Sequence, residues 1–361
     1  MLHKTRFAWT LVVGAALLAS SARAGDLTSN LKKGTPDLKS ASALAFGPEG
    51  ILFVGDSQGA AVFAIATGDQ KPTAASGALK VEGIDEKIAS LLGTNTRGIT
   101  ITDLAVNPAS GNAYLSLRRG EGPDAAPALI RVERSGMVGE FPLKDVPFAK
   151  VALPNPATGR NSAQSITKLA FVKDRVIVAG LSNEEWSSNL RSIPFPFTEA
   201  DKGAGVQIYH GSHGRFETNS PVRTFVPYDI KGEPYILAAY TCTPLVKFPV
   251  AQLKPGERVK GTTIAELGNG NQPLDMIVYN KGGKDYVLMA NNKRGVMKIT
   301  TENIDNINGI TERVSDKAGL TYETLAGLQG VQQLDRLDKD HALLLVKTSS
   351  GGLNLDTIAL P

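Results

Sequence analysis

Short apolar runs separated by glycine-containing or polar turns recur along the chain. The stretch LAFGPEGILFVGDSQGAAVFAI (44–65) contains three such runs, with GPEG between the first two and a small polar loop before the third. Runs of four to eight apolar residues bounded by turn residues are typical of β-strands. The stretch therefore predicts a three-stranded meander.

The same outline returns along the whole chain. Six units begin near residues 43, 103, 168, 224, 275 and 331. Residues 224–248 align with residues 275–299 without a gap, and a fourth strand is visible in GALKVEG (77–83) and RVKGTTIAEL (258–267). Because four-stranded units repeated about six times are typical of a β-propeller, the pattern predicts an all-β propeller, with six blades favoured.

The same pattern is also compatible with a different number of blades or with another all-β fold. A seventh blade could lie within residues 136–167, and a β-helix or a pair of sandwiches is a rival all-β fold, although shorter rungs or a composition break would then be expected. The clearest helix prediction is DEKIASLLG (85–93). We expect the N-terminal segment 26–42 to supply the fourth strand of the last unit, which would close the ring and remove an exposed sheet edge.

The first two units resemble a known superfamily. The stretch 44–65 and DLAVNPASGNAYLSL (103–117) are similar to blades of the NHL-repeat and gluconolactonase-like β-propellers, among the WD40/YVTN/NHL-like repeats. For the gluconolactonase-like enzymes the resemblance implies a divalent cation in the central channel, held by Glu, Asn and Asp side chains. The early strand glutamate of those enzymes has no recognisable counterpart here.

The first residues predict export. Lys4 and Arg6 precede the apolar run FAWTLVVGAALLAS (7–20), and SARA (21–24) follows it. A basic start, an apolar run and a small-residue end are typical of a signal peptide, so we expect cleavage after Ala24 and a periplasmic or secreted protein. The alternative, a membrane anchor, is less favoured because the run is shorter than the roughly 20 residues that span a bilayer. Residues 25–361 are expected to form one propeller domain.

Charge limits the partners of this domain. Three of the 39 basic residues and none of the 35 acidic residues lie in residues 1–24, which leaves 36 basic against 35 acidic residues and a formal charge of +1. Because so small an excess does not favour nucleic acid or an anionic membrane, the expected partner is a small molecule or another protein. The oligomeric state is not indicated.

Cysteine use excludes several kinds of site. Cys242 is the single cysteine of the chain, so neither an internal disulfide, c-type haem attachment nor a cysteine-rich zinc site is expected. A catalytic thiol needs a base or cation nearby, and no histidine is close to Cys242 in sequence. A buried, unreactive thiol is therefore the favoured interpretation.

Propeller geometry sorts the polar residues by face. The turns between the first and second strands lie on one face, here called the turn face, and are mainly Gly, Pro and Lys. The loops leaving the second strands lie on the opposite face, here called the polar face, together with the segments that approach the innermost strands. Because ligand sites form where several blades converge polar groups, we expect the ligand on the polar face. The candidate ligand-binding residues are Asp56, Arg118, Glu184, Glu185, Arg191, Cys242, Asn291, Asn292 and Arg294. The approach segments add Arg97, Arg160, Asn161 and Asn271.

Asp103 and Asp275 occupy equivalent repeat positions, one residue before LAV and MIV. They are candidates to share a cation such as Ca²⁺ or Zn²⁺ in the channel, with Asn291 as a neutral ligand. The structural alternative, which we favour, is that both accept backbone hydrogen bonds where strands begin.

His210 and His213 in YHGSHG are a weak zinc-pair candidate, because positions three apart on a strand point to opposite sides. His341 falls in a predicted surface turn.

Residues 182–203 depart most from the repeat and are predicted to be an inserted loop. One interpretation is a lid or docking loop over the channel; the other is a loop whose aromatic residues (Trp186, Phe195 and Phe197) anchor it to a neighbouring blade.

Two functions are consistent with this sequence. The first is an exported propeller that binds a small molecule or a partner protein on its polar face, and the alternative is a metal-dependent, lactonase-like hydrolase with its cation in the channel. A redox-partner propeller is weaker, and neither a P-loop, G-x-G-x-x-G after a strand nor H-E-x-x-H occurs.

Overall fold

The computed structural model describes residues 26–72, 77–122, 125–242 and 244–361. The predicted signal peptide, residues 1–24, lies outside this range. Six small, mainly antiparallel sheets form a six-bladed β-propeller. The predicted all-β propeller with six blades is therefore confirmed.

The blades are numbered here in the order in which their innermost strands occur in the sequence. The innermost strands are Leu44–Phe46, Ile99–Val106, Lys168–Val172, Thr224–Ile230, Pro273–Lys281 and Val331–Arg336. The second strands are Ile51–Asp56, Ala113–Arg119, Arg175–Leu181, Glu233–Ala239, Lys284–Asn291 and His341–Lys347. The third strands are Ala61–Ala66, Ala126–Val132, Ser188–Pro194, Pro244–Pro249, Gly295–Thr300 and Leu353–Ala359. The six predicted unit starts thus coincide closely with six innermost strands.

The outer strands differ from blade to blade. Blades 1 to 5 are completed by Val146–Ala152, Val138–Glu140, Ala204–His210, Thr262–Leu267 and Tyr322–Leu325. Further edge strands are Lys32–Gly34 on blade 1, Arg215–Glu217 and Arg258–Lys260 on blade 3, and Lys317–Gly319 on blade 4. One α-helix, Ile84–Leu91, and five 3₁₀ helices occur among the described residues. The 3₁₀ helices are Leu27–Asn30, Pro48–Gly50, Thr96–Gly98, Gly159–Gln164 and Val250–Gln252.

Blade 1 packs against blades 2 and 3. Because successive strand residues point to opposite faces of a sheet, Leu52 packs with Tyr114 of blade 2 whereas Phe53 packs in the core shared with Leu169 of blade 3. Three further cores join blade 3 to blade 4, blade 4 to blade 5, and blade 5 to blade 6.

The ring does not follow chain order, because blade 2 lies between blade 6 and blade 1. A sixth core joins Leu115 of blade 2 to Leu343 of blade 6, and the helix Ile84–Leu91 packs into it through Ile88. The chain leaves blade 1 after its third strand, builds blade 2, and returns with Val146–Ala152 to complete blade 1.

The structure corrects one detail of the expected closure. The N-terminal strand Lys32–Gly34 pairs with residues 146–148 of blade 1 rather than with the last blade. The edge of blade 6 is instead taken by Val81, whose N–H and C=O each bond to Leu355 at 2.9 Å. GALKVEG, expected to be the fourth strand of the first unit, therefore covers the sixth blade.

Residues 182–203 are not one inserted loop. They contain Ser188–Pro194, the third strand of blade 3, which pairs over its whole length with Arg175–Leu181. Phe195 and Phe197 pack around Phe53 of blade 1, with ring centroids 5.0 and 6.1 Å from it, so these two aromatic residues anchor the segment. No helix among the described residues is long and apolar enough to cross a membrane.

Candidate functional site

An ion cluster lies across the channel. Lys168 Nζ lies 2.9 Å from Asp275 Oδ1 and 3.2 Å from Asp103 Oδ1, and all three side chains are at least 85% buried. The three residues come from blades 3, 5 and 2, so the cluster connects innermost strands that are not all neighbours. Lys168 was missed by the sequence analysis, although it stands before LAF at the repeat position that Asp103 occupies before LAV.

Both aspartates also bond to the backbone of a neighbouring blade. Asp103 Oδ2 accepts from the N–H of Leu44 at 2.8 Å, and Asp275 Oδ2 accepts from the N–H of Leu334 at 3.3 Å. Each carboxylate therefore fastens two innermost strands to each other, as the structural alternative expects.

The positive charge in this cluster is the ammonium group of Lys168, which lies between two carboxyl groups. Burial raises the pKa of Asp103 to about 6, although Lys168 acts in the opposite direction. Burial alone would lower the pKa of Lys168, but Asp103 and Asp275 outweigh it and raise that pKa above its ordinary value. Lys168 thus stays protonated, and its ammonium is the cation that the two carboxylates share.

Asn291 lies outside this cluster. Its Nδ2 donates to Asn271 Oδ1 at 2.7 Å, while its Oδ1 accepts from the N–H groups of Lys293 and Arg294 at 3.1 Å. Asn292 Oδ1 accepts from the N–H of Gln272 at 2.8 Å. These side chains hold the turn after the second strand of blade 5, as ordinary turn residues do.

Asp56 and Arg118 lie apart from each other. Asp56 is 1% exposed, and its carboxylate accepts at 2.8 Å from the N–H groups of Lys39, Ser40 and Gly59 and from the Ser40 hydroxyl. Its oxygens are fully used in fixing local backbone. Arg118 is exposed at the end of the second strand of blade 2.

The acidic pair of blade 3 lines a small pocket of about 180 Å³ together with Trp186. Glu184 accepts from Asn155 Nδ2 at 2.7 Å, and Glu185 forms an ion pair with Arg258, whose guanidinium lies over the Trp186 ring.

Arg191 does not reach this pocket, because its side chain is fully buried. Its Nη2 donates to the carbonyl oxygen of Pro154 at 2.8 Å, and burial lowers its pKa to about 10.

Cys242 lies at the boundary between blades 3 and 4. The sequence offered no neighbouring histidine, yet His210 and His213 both lie beside it, with their ligand atoms and Cys242 Sγ within 4.8 Å of one another. The imidazole rings are close rather than opposed, with centroids 3.8 Å apart. His210 ends a strand and His213 lies in the following turn, where the alternation of strand side chains no longer applies.

The polar face has a cavity of about 530 Å³ at the start of the innermost strands of blades 2, 5 and 6. Three cationic side chains line it: Arg97, Arg223 and Lys347. None of the three forms a salt bridge within the described ranges. The lining carboxylate Asp85 is buried, and its Oδ1 accepts from the N–H of Leu353 at 3.0 Å.

Carboxamides complete the polar part of this cavity. When the Gln272 amide is oriented so that its oxygen faces the Arg223 guanidinium, this oxygen accepts a hydrogen bond from Arg223 Nη2 at 2.6 Å. Gln333 Nε2 donates to the carbonyl oxygen of Thr102 at 2.7 Å, while its buried Oε1 has no partner among the described residues. Arg97 was recognised in sequence as part of the polar face. Lys347 begins KTSSGG (347–352), a loop expected on that face, but it was not named as a candidate; Arg223 and the glutamines were missed, since no repeat position or motif marks them.

The turn face, expected to be the quieter one, also has an opening. A cavity of about 930 Å³ lies there among the later residues of the innermost strands and is lined by Lys168, Asp229, Asp285 and Lys339 among others. Five aspartates and three basic residues line it, so acidic groups predominate there, in contrast to the polar-face cavity.

Comparison with models of known protein families finds no match, and comparison with curated proteins finds none either. Among solved structures, the chain is similar to a putative oxidoreductase (glucose dehydrogenase) from Thermus thermophilus, at 13% identity and a TM-score of 0.35, covering 91% of this chain and 99% of the other. It is also similar to the PQQ-bound aldose sugar dehydrogenase from Streptomyces coelicolor, at 14% identity and a TM-score of 0.36, covering 91% and 96%. An engineered GH43 glycoside hydrolase matches at 13% identity and a TM-score of 0.37, covering 73% and 51%. Similarity at these levels carries no argument about function.

Proposed function

We propose that this chain is an exported β-propeller that binds a small anionic molecule in the polar-face cavity. One observation carries the proposal: Arg97, Arg223 and Lys347 converge on one cavity without a salt bridge among the described residues. Three cationic side chains and one carboxylate, Asp85, line the cavity, and this excess of positive charge creates a local positive potential.

The cavity has the dimensions and the chemistry of a small-ligand site. Its volume of about 530 Å³ lies within the range typical of such sites. A guanidinium presents paired N–H donors that match a carboxylate or a phosphate, and Arg223 is already oriented by Gln272. Burial lowers the pKa of Arg223, which reflects the partial exclusion of water that strengthens a charge-assisted hydrogen bond.

The lactonase-like alternative is not favoured by this geometry. It places a divalent cation between Asp103 and Asp275, where the ammonium of Lys168 lies.

Calorimetric titration with citrate and with inorganic phosphate tests the proposal. Wild-type protein should bind at least one of the two anions, and Arg223→Gln should weaken binding by about tenfold or more, because a charge-assisted hydrogen bond contributes about 1.5–3 kcal/mol. Arg160→Gln is the matched control, since Arg160 is an exposed arginine near the approach to blade 3 and does not line the cavity.

Two results would count against the proposal. One is that neither anion binds to the folded wild-type protein. The other is that Arg223→Gln and Arg160→Gln bind the anion equally well, which would place the binding elsewhere on the surface.

A further inference from the structure

Two histidines and the single cysteine meet on the surface between blades 3 and 4. His210 is the last residue of the strand Ala204–His210, His213 lies in the turn that follows, and Cys242 lies in the turn after the second strand of blade 4. One ring nitrogen of each histidine and Cys242 Sγ lie within 4.8 Å of one another. Three residues far apart in sequence thus bring three metal-ligand atoms to one place.

A buried carboxylate orients both imidazoles. Glu217 Oε2 lies 3.0 Å from His210 Nδ1, and Glu217 Oε1 lies 2.7 Å from His213 Nδ1. A carboxylate that faces Nδ1 of both rings accepts a hydrogen bond from each, which leaves the Nε2 lone pairs free, as in histidines that bind metals.

His210 Nε2 is the atom that points to a ligand. The His210 side chain is 97% buried, and its Nε2 has no hydrogen-bond partner among the described residues. A buried polar atom without a partner is uncommon and calls for an explanation, such as an ion at the site.

The surrounding backbone holds these ligands in place. The N–H of Gly214 donates to the carbonyl oxygen of His210 at 2.8 Å, and Glu266 accepts from the N–H of Gly211 at 2.5 Å. On blade 4, the N–H of Cys242 donates to the carbonyl oxygen of Asn271 at 2.7 Å. The three ligand atoms are therefore presented by fixed turns, which lowers the ordering cost of binding.

We propose that His210 Nε2, His213 Nε2 and Cys242 Sγ form a binding site for a late first-row divalent metal ion of the zinc class. Imidazole nitrogen and thiolate sulfur are the ligand types that Zn²⁺ takes in proteins, with four-coordinate geometry. His213 is 43% exposed, so the site is accessible from solvent and a water molecule could complete the coordination. Since none of the three ligands lines the polar-face cavity, this site is independent of the proposed anion site.

The test uses untagged, chelator-treated protein of the full mature chain, titrated with Zn²⁺ against a competing indicator and with Co²⁺ by absorption spectroscopy. Wild-type protein should bind one equivalent of Zn²⁺, and its Co²⁺ spectrum should contain a thiolate-to-metal band. Cys242→Ser should abolish that band, and Glu217→Gln should weaken Zn²⁺ binding by about 10- to 100-fold through loss of the orienting carboxylate.

His341→Ala is the matched control. His341 Nδ1 also lies 2.9 Å from a carboxylate, Asp338 Oδ1, in a surface turn, but it belongs to no cluster of three metal-ligand residues in the described chain. This variant should bind Zn²⁺ as wild type does. The proposal is overturned if folded wild type, checked by circular dichroism, binds no equivalent of Zn²⁺, or if Cys242→Ser keeps wild-type affinity. Citrate and phosphate binding should be unchanged in Cys242→Ser, so failure of one proposal leaves the other standing.

Discussion

Lys168→Met is the substitution that tests the channel cluster most directly. It removes the ammonium that lies 2.9 Å from Asp275 and 3.2 Å from Asp103 while keeping a side chain of similar length. Removing one partner of a buried ion pair destabilises a protein by about 3–5 kcal/mol, because the remaining charge is left uncompensated. We expect a loss of this size at pH 8.

The loss should depend on pH in a defined direction. In the wild type the pKa of Asp103 is about 6. Above pH 6 the folded protein with ionised Asp103 is therefore more stable than the folded protein with protonated Asp103, by about 1.4 kcal/mol for each pH unit. If Asp103 remains protonated at pH 8 without Lys168, the variant lacks about 3 kcal/mol that the wild type has there. At pH 5 Asp103 is largely protonated in both proteins, and this part of the difference disappears.

The sign follows from proton binding. In the variant the folded state holds a proton on Asp103 that the unfolded chain releases above about pH 4, so the free energy of unfolding of the variant falls as pH rises. Acidification from pH 8 to pH 5 should therefore restore much of the stability lost by the substitution.

Equilibrium urea unfolding at pH 8 and pH 5, followed by tryptophan fluorescence, measures the effect. Lys339→Met is the matched control, because Lys339 also pairs with an aspartate but is 85% exposed, and such surface pairs contribute less than about 1 kcal/mol. An equal loss for Lys168→Met at both pH values, or a loss below about 1 kcal/mol at pH 8, would refute the reasoning.

Two further predictions concern the scaffold. Asp56→Ala should lower the free energy of unfolding by about 2–3 kcal/mol in urea titrations, because three backbone N–H groups and the Ser40 hydroxyl lose their acceptor; unchanged stability would contradict the role assigned to Asp56. Val81→Pro removes the N–H that bonds to the Leu355 carbonyl at the edge of blade 6 and should lower the free energy of unfolding by about 1–3 kcal/mol, seen as a lower urea midpoint; a wild-type midpoint would mean that this segment does not hold the blade.

The propeller could be predicted from sequence because its signal is local. Each blade repeats short apolar runs and turns, as in residues 44–65, and the helix predicted at 85–93 is observed at Ile84–Leu91. The closure could not be predicted in the same way. Val81 lies in a short apolar segment that would suit the edge of any blade, and its pairing with Leu355 depends on the path of the connection after blade 1.

The candidate site residues likewise include contacts that the sequence could predict and contacts that it could not. Asp103 and Asp275 were placed together by the repeat alignment, and aligning every unit would also have brought Lys168 to them. The proximity of Cys242 to His210 had no such signal, since it arises from two turns on neighbouring blades.

The order of the blades, rather than the repeat, brings two of the three cations of the polar-face cavity onto adjacent blades. Arg97 precedes blade 2, whereas Lys347 ends the second strand of blade 6. In a ring built in chain order, blade 2 would lie between blades 1 and 3, and Arg97 and Lys347 would not belong to adjacent blades. Here the connection that covers blade 6 at Val81 also places blade 2 beside it, so both cations line one cavity. Because blade 2 departs from chain order, two of the three cations on which the proposed anion site depends come from adjacent blades.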